Sequence, residues 1–301
     1  RDRDGSTTLH TAHTPEMVDF LLNKGLEIHV RNNNGETPLH KAAEAGRQKV
    51  VTRIIERGAR IDARDKEGKT PLHLAVIVGE SGVAGLLLAR GAGIDVRDKS
   101  GHTPLHFAVL EREPALIALL IEKGADVSRA AKSGMTPLHM AVVAGNDLEI
   151  IELLIAHGAD VNARAHFKMT PLHLATKAVV ARALIRHGAD PRARNEFGHT
   201  TLDGKDAALR EDIERFLSDG GKDGKKPASG GPAGAQPAAK GAAGVQSAST
   251  PRAGDESVRM DAWWKAGDAA CPGGGRIEGA PPPEGSSVGC VCAGARHGPY
   301  S

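Results

Sequence analysis

Paired apolar residues one helical turn apart recur along the first two thirds of the chain. In VVTRIIERG (50–58), Val50 and Val51 are answered by Ile54 and Ile55; in IIELLIAHG (150–158), Ile150 and Ile151 are answered by Leu154 and Ile155. That spacing predicts helices with one buried face. Each ends at a glycine such as Gly58 or Gly158, as a helix does when its last turn closes on a left-handed residue. A shorter apolar run, such as Leu72-His73-Leu74-Ala75-Val76, precedes each of them, opened by Thr-Pro. Threonine caps a helix N-terminus, and proline at the first helical position loses no hydrogen bond. Gly46 and Gly79 break these first helices. The polar stretch after each second helix, for example RIDARDKEG (60–68), predicts an extended arm and a turn, with Gly35, Gly68, Gly101, Gly134 and Gly198 supplying positive φ.

The unit is periodic. Thr-Pro-Leu-His begins at Thr37, Thr70, Thr103, Thr136 and Thr170, with degraded copies at Thr7 and Thr200. From Gly25, Gly58, Gly91, Gly124, Gly158 and Gly188 the next tetrad always starts 12 residues on, and Ala12, Ala42, Ala75, Ala108, Ala141 and Ala175 each stand 5 after their threonine. All variation in length falls between that alanine and the next glycine. The constant part must set the register between neighbours, and the variable part must hold a tolerant turn. One helix pair cannot bury its own apolar faces, so neighbours bury each other and stability is a sum over interfaces.

GETPLHKA (35–42), GKTPLHLA (68–75), GHTPLHFA (101–108) and GMTPLHMA (134–141) closely resemble the ankyrin repeat. The resemblance implies an all-α repeat solenoid: a stack of helix pairs with β-hairpin fingers along one edge, no catalytic site, and a concave face that binds partner proteins. It covers residues 1–219 as about six repeats plus a C-terminal cap, ALREDIERFL (208–217). Two departures carry expectations. Lys168 replaces the turn glycine in the sixth unit, so that turn must rearrange; the first and sixth units are three residues short, so a helix or an inter-helix turn must be trimmed.

Composition narrows the class. Aromatics are 3% against 40% apolar residues, so the core is aliphatic, as suits packed helices. Basic and acidic residues number 39 and 37, without the charge asymmetry of a nucleic-acid binder. No run of 18 apolar residues is present to span a membrane. The three cysteines lie at 271, 290 and 292, leaving the repeats free of disulfides, which fits a reducing, cytoplasmic setting. The chain begins at Arg1 rather than Met, as expected of a fragment or processed product. Residues 220–301 are rich in Gly, Pro and Ala and are expected to be a disordered tail. Within it, MDAWWKAGDAA (260–270) holds Trp263 and Trp264, which could form a docking peptide.

Histidine invites a chemical reading. His10, His40, His73, His106, His139 and His173 all occupy the tetrad. Packed helices lie about 8–10 Å apart, too far for adjacent imidazoles to share a zinc ion with bonds near 2 Å. The repetition points instead to imidazoles that bond backbone groups at the foot of each finger. Cys290, Cys292 and His297 fall short of a four-ligand site. No phosphate loop, nucleophile elbow or dinucleotide fingerprint occurs. The expectation is therefore no metal, no cofactor and no enzyme.

Specificity in a stack belongs to exposed finger tips and to the ends of the first helices. Lys69, Lys99, His102, Met135, Phe167, Met169 and Phe197 on the fingers, with Ile77, Val78, Leu110 and Val143 on the helices, predict an apolar strip rimmed by lysine. Such a strip would take an acidic, amphipathic segment of another protein, with the chain as a monomeric scaffold or adaptor. The alternative is the targeting or regulatory portion of a larger enzyme or secreted effector.

Overall fold

The computed structural model describes residues 1–145 and 148–220. The tail expectation, with Trp263, Trp264 and the Cys290–Cys292 pair, lies outside the described residues. Among the described residues twelve α-helices follow one another: α1 (Pro15–Asn23), α2 (Pro38–Glu44), α3 (Gln48–Glu56), α4 (Pro71–Ile77), α5 (Ser81–Ala89), α6 (Pro104–Leu110), α7 (Pro114–Glu122), α8 (Pro137–Val143), α9 (Leu148–Ala156), α10 (Pro171–Leu174), α11 (Ala178–Arg186) and α12 (Ala207–Ser218). They form two rows. In the first row α2, α4, α6, α8 and α10 each touch the next; in the second row α1, α3, α5, α7, α9 and α11 do the same, and α12 closes the end against α11.

Every second-row helix from α1 to α11 has nine residues, whereas first-row helices have seven until α10, which has four. The three missing residues of the sixth unit therefore come from its first-row helix, while the turn after it keeps three residues. In the first unit the tetrad Thr7–His10 forms only turns ahead of α1. The second row is kept whole because three apolar positions per helix lock it: Val50, Val51 and Ile54 in α3, and Ile150, Ile151 and Leu154 in α9, are at most 1% exposed. The leucine of each tetrad, Leu9, Leu39, Leu72, Leu105, Leu138 and Leu172, is equally enclosed. Each such leucine contributes about 1.5–3 kcal/mol of burial. Leu74, Phe107 and Met140, one residue beyond the histidine, are buried between units, and Leu174 is partly so.

The tetrad histidines are the joints between repeats. In each, Nδ1 accepts the backbone N–H of its own threonine, at 3.0 Å for His10, 3.1 Å for His40, His73, His106 and His173, and 3.3 Å for His139. The opposite nitrogen, Nε2, donates to a carbonyl on the following finger: Glu36, Lys69, His102, Met135, Met169 and His199 in turn, at 3.1–3.4 Å. An N–H on one side and a C=O on the other admit one tautomer, neutral with hydrogen on Nε2. This is a capping box in which the third helical residue is histidine rather than glutamate. The ring's length lets it satisfy the cap and reach the next repeat as well.

The fingers are short hairpins closed at the turn. Each glycine finger is closed by two backbone bonds, such as Asp65 N–H to Lys69 C=O at 2.9 Å and Gly68 N–H to Asp65 C=O at 3.1 Å, and joined to its neighbour by another, such as Lys66 N–H to Asn34 C=O at 2.8 Å. Among the described residues the one antiparallel bridge outside helices pairs Arg194 with Thr200. Fingers this tight need glycine: Gly68 has φ +80°, and a Cβ there would stand 2.9 Å from the Lys99 nitrogen of the next finger. The sixth finger lacks that glycine and does rearrange. Phe167 and Lys168 both adopt φ 56° in a short 3-10 turn, and Met169 N–H bonds His166 C=O at 3.2 Å. Two consecutive left-handed residues make the mirror-image turn that also closes a hairpin. The bond to the next finger survives, from Glu196 N–H to Phe167 C=O at 2.7 Å.

Two predictions follow from these joints and this turn. Replacing Lys168 by glycine should stabilise the chain by about 0.5–1 kcal/mol, read from urea unfolding, because a left-handed Cβ is relieved. Burial, partly opposed by the carbonyl bond, depresses His40, His73 and His139 to about 4 and His106 to about 3, and lowers His10 and His173 as well. Their unfolded values lie near 6.5. The stability from the neutral rings is thus whole above about pH 6.5 and is lost as pH falls towards 4, by about 1 kcal/mol per pH unit for each of His40, His73, His106 and His139. Urea midpoints across that window should drop steeply, and a flat profile would count against the joints.

Candidate functional site

Sites on this frame are read from what it leaves exposed. Val78 and Val143, at the ends of the α4 and α8 turns of the first row, are 40% and 39% exposed, and Phe197 at the last finger tip is 55% exposed. Lys99 is exposed on the third finger pair, and Ile77 is half-buried beside Val78. Phe167 is half-buried, its ring centroid 5.4 Å from that of Phe197. Met169 is also half-buried, with its sulfur 3.5 Å from the Asn195 side-chain amide. Lys69 is half-buried, its ammonium 5.3 Å above the Phe107 ring, a cation–π contact that ties the rim to the core.

Three residues expected on the surface are enclosed: His102 is 2%, Met135 5% and Leu110 9% exposed. The reason lies in the finger slot after the turn glycine. Its carbonyl is the one that accepts Nε2 of the preceding histidine, so the backbone is pinned and the side chain turns onto the first row. His102 meets His106 and Phe107, each at 5.6 Å between ring centroids, with Asp98 3.6 Å from its Nδ1. Met135 and Leu110 join the aliphatic core. The expected strip is therefore interrupted between Val78 and Val143.

Further ladders run through the fingers. Arg31 and Arg64 each donate to the carbonyl of the arginine 33 residues on, Arg64 and Arg97, and Arg97 donates at 3.0 Å to Ala130. Ala130 has no such donor, and the staircase stops there. On the second-row side Asp62 accepts from Gly93 N–H at 3.0 Å and Asn162 from Asp190 N–H at 2.9 Å. The 33-residue spacing of Arg31, Arg64 and Arg97 is visible in the chain, although a periodic charge there reads equally as a solvated face. Lys205 occupies the slot that alanine fills in other units. It is buried, and its ammonium donates to the carbonyls of Ala175 at 2.5 Å and His173 at 3.4 Å, groups stranded by the short α10. Burial pushes this lysine down to about 8.

These arrangements bond side chains to backbone across the repeats. Among the described residues no group of three or more His, Cys, Asp or Glu stands close enough to hold a metal, and no helix is long and apolar enough to cross a membrane. An open groove beside the first-row turns is lined by His10, Lys41, Glu44, Arg47 and Val78. Its charges are engaged within the protein: Lys41 with Glu44 and Glu36, and Arg47 with the Ala12 carbonyl.

Repeat geometry of this kind is matched by a profile described as ankyrin repeats (3 copies) over residues 9–98, 54–131 and 80–165, and by one for a single ankyrin repeat over 167–196. The chain belongs to the ankyrin-repeat family. The crystal structure of the ankyrin repeat domain of Bcl-3, a member of the IkappaB family, superposes with a TM-score of 0.62 at 33% identity, covering 71% of this chain and 100% of that one. The human ASB11 ankyrin repeat domain has a TM-score of 0.61 at 23% identity, covering 70% and 97%, a likeness of fold. No curated protein matches the sequence. Ankyrin repeats are in general protein-interaction modules, and this ankyrin stack carries the same division between a satisfied frame and variable exposed positions.

Substitution should separate the two sets of residues. Met135→Ala should cost about 2–4 kcal/mol in urea unfolding, as for a core methionine, while Phe197→Ala should stay within about 1 kcal/mol. Equal costs would contradict the placement of these side chains.

Proposed function

We propose that the chain is a non-enzymatic scaffold or adaptor that binds a partner protein across its first-row helix ends and finger tips. The observation that carries this reading is the exposure of Val78, Val143 and Phe197 on a frame whose polar groups are otherwise joined repeat to repeat. Val78 adjoins half-buried Ile77 and Phe197 stacks near Phe167, so these exposures are small patches rather than single side chains. Lys99, Lys66 and Lys132 stand exposed along the tips and would steer an acidic, amphipathic segment towards them. Apolar anchors would supply most of the affinity.

The test is capture by the full chain, with Val78→Glu and Val143→Glu introduced together. Both positions are exposed, so circular dichroism and melting should be unchanged. A partner identified with the wild-type chain should lose at least about tenfold in affinity, the scale of one anchor residue. Undiminished binding by the folded variant would remove these helix ends from the interface.

A further inference from the structure

The sixth and seventh fingers differ from the others in three independent ways. Their tips carry aromatic rings, Phe167 and Phe197, where earlier fingers carry Asn34, Glu67, Ser100 and Ser133 at the position before the turn residue. The rings touch, at 5.4 Å between centroids, yet Phe197 remains more than half exposed. Phe167 and Lys168 also hold left-handed backbone, which β-carbon residues adopt at a cost that tends to be kept at functional positions. Around the rings, residues 164–168 and 192–199 present Arg164, Lys168, Arg192 and Arg194 to solvent against a single exposed carboxylate, Glu196. The patch is thus an aromatic step in a cationic collar.

The chain itself contains a segment of the matching chemistry. Both tryptophans, Trp263 and Trp264, lie in DESVRMDAWWKAGD (255–268), where Asp255, Glu256, Asp261 and Asp268 outnumber Arg259 and Lys265. This segment comes after the last described residue, Gly220, which follows the seventh finger and the α12 cap in chain order. The 41 residues from Gly220 to Asp261 can span up to about 140 Å when extended, against one or two repeat spacings of about 10 Å. Tethering on a single chain raises the local concentration of such a segment to the order of millimolar, so even a weak site would be filled.

We propose that residues 255–268 dock in cis on the Phe167–Phe197 patch, the tryptophans against the rings and the carboxylates against the collar. This rests on the reading of the exposed finger tips as a binding surface, and it names the occupant of one end of that surface. An external partner would then compete with the chain's own segment there.

Residues 1–220 contain no tryptophan, so tryptophan emission from the full chain reports on this segment alone. Acrylamide quenching should be several-fold weaker in the wild-type chain than in Phe197→Asp, and Lys168→Glu with Arg194→Glu should raise it similarly. All these positions are exposed, and unchanged melting checks the fold. The protection should not depend on protein concentration. Equal quenching in wild type and variants would overturn the proposal, as would protection that grows with concentration, which assigns the patch to a second copy. Freely quenched wild-type tryptophans, together with a captured partner lost in Phe197→Asp, would give the patch to an external protein and also overturn it. The Val78 and Val143 capture test is independent of all these readouts, so failure of the cis contact and failure of the scaffold reading are distinguishable.

Discussion

One imidazole per repeat, held between a threonine N–H in its own unit and a carbonyl in the next, is the constraint on which the stack depends. The aliphatic core supplies more stabilisation, but hydrophobic burial is non-directional. Leucine and valine alone would allow neighbouring helix pairs to slide. The histidine bond fixes where the next finger sits relative to the first-row helix, and so fixes the register of every later repeat. The step of 17 positions from each helix-closing glycine to the alanine of the next tetrad is constant from Gly25–Ala42 to Gly158–Ala175, and that stretch holds both the carbonyl that accepts one ring and the histidine that makes the next joint, as Lys69 and His73 do.

The same bond explains how the frame absorbs change. In the sixth unit the second-row helix keeps nine residues while α10 shrinks to four, since His173 sits in the first turn and its joint to His199 does not need the rest of the helix. The lost turns strand carbonyls near Ala175, and Lys205 covers them from the neighbouring unit. A buried ammonium is costly, so a lysine there makes sense only beside acceptors that would otherwise be unpaired. The non-glycine turn at Phe167–Lys168 is a comparable repair, in which the backbone changes turn type and retains its bond to the next finger.

Much of this was legible in the chain. Helix starts, the rows of apolar positions and the histidine joints all follow from local rules of capping and period, and those rules act within a few residues. What was not legible depends on direction across repeats. Whether the residue after the turn glycine faces solvent depends on the side chains packed over it, as His106 and Phe107 are over His102, which is why His102 and Met135 read as exposed and are buried. The identical slot holds exposed His199 at the last finger, where no further unit covers it. The arginine staircase escaped for a different reason. A charged residue at period 33 looks like a solvated face until its guanidinium is seen on the next repeat's carbonyl.

A frame that consumes its polar groups internally has a consequence for recognition. Histidines, threonines, finger carbonyls and several arginines are engaged in joining repeats, so they cannot also be offered to a ligand without loosening the stack. Discrimination must come from side chains that the joints do not use, and these are few: apolar ends such as Val78 and Val143, the aromatic tips, and exposed lysines. Affinity is then set by a small number of anchors on a rigid, preorganised surface, where little ordering entropy is lost on binding. Exposed apolar groups on such a surface carry a matching liability, since any amphipathic segment at high local concentration will find them. A chain with its own tryptophan pair within reach is the first candidate to do so, and covering the aromatic step in cis would limit the surface open to unselected partners.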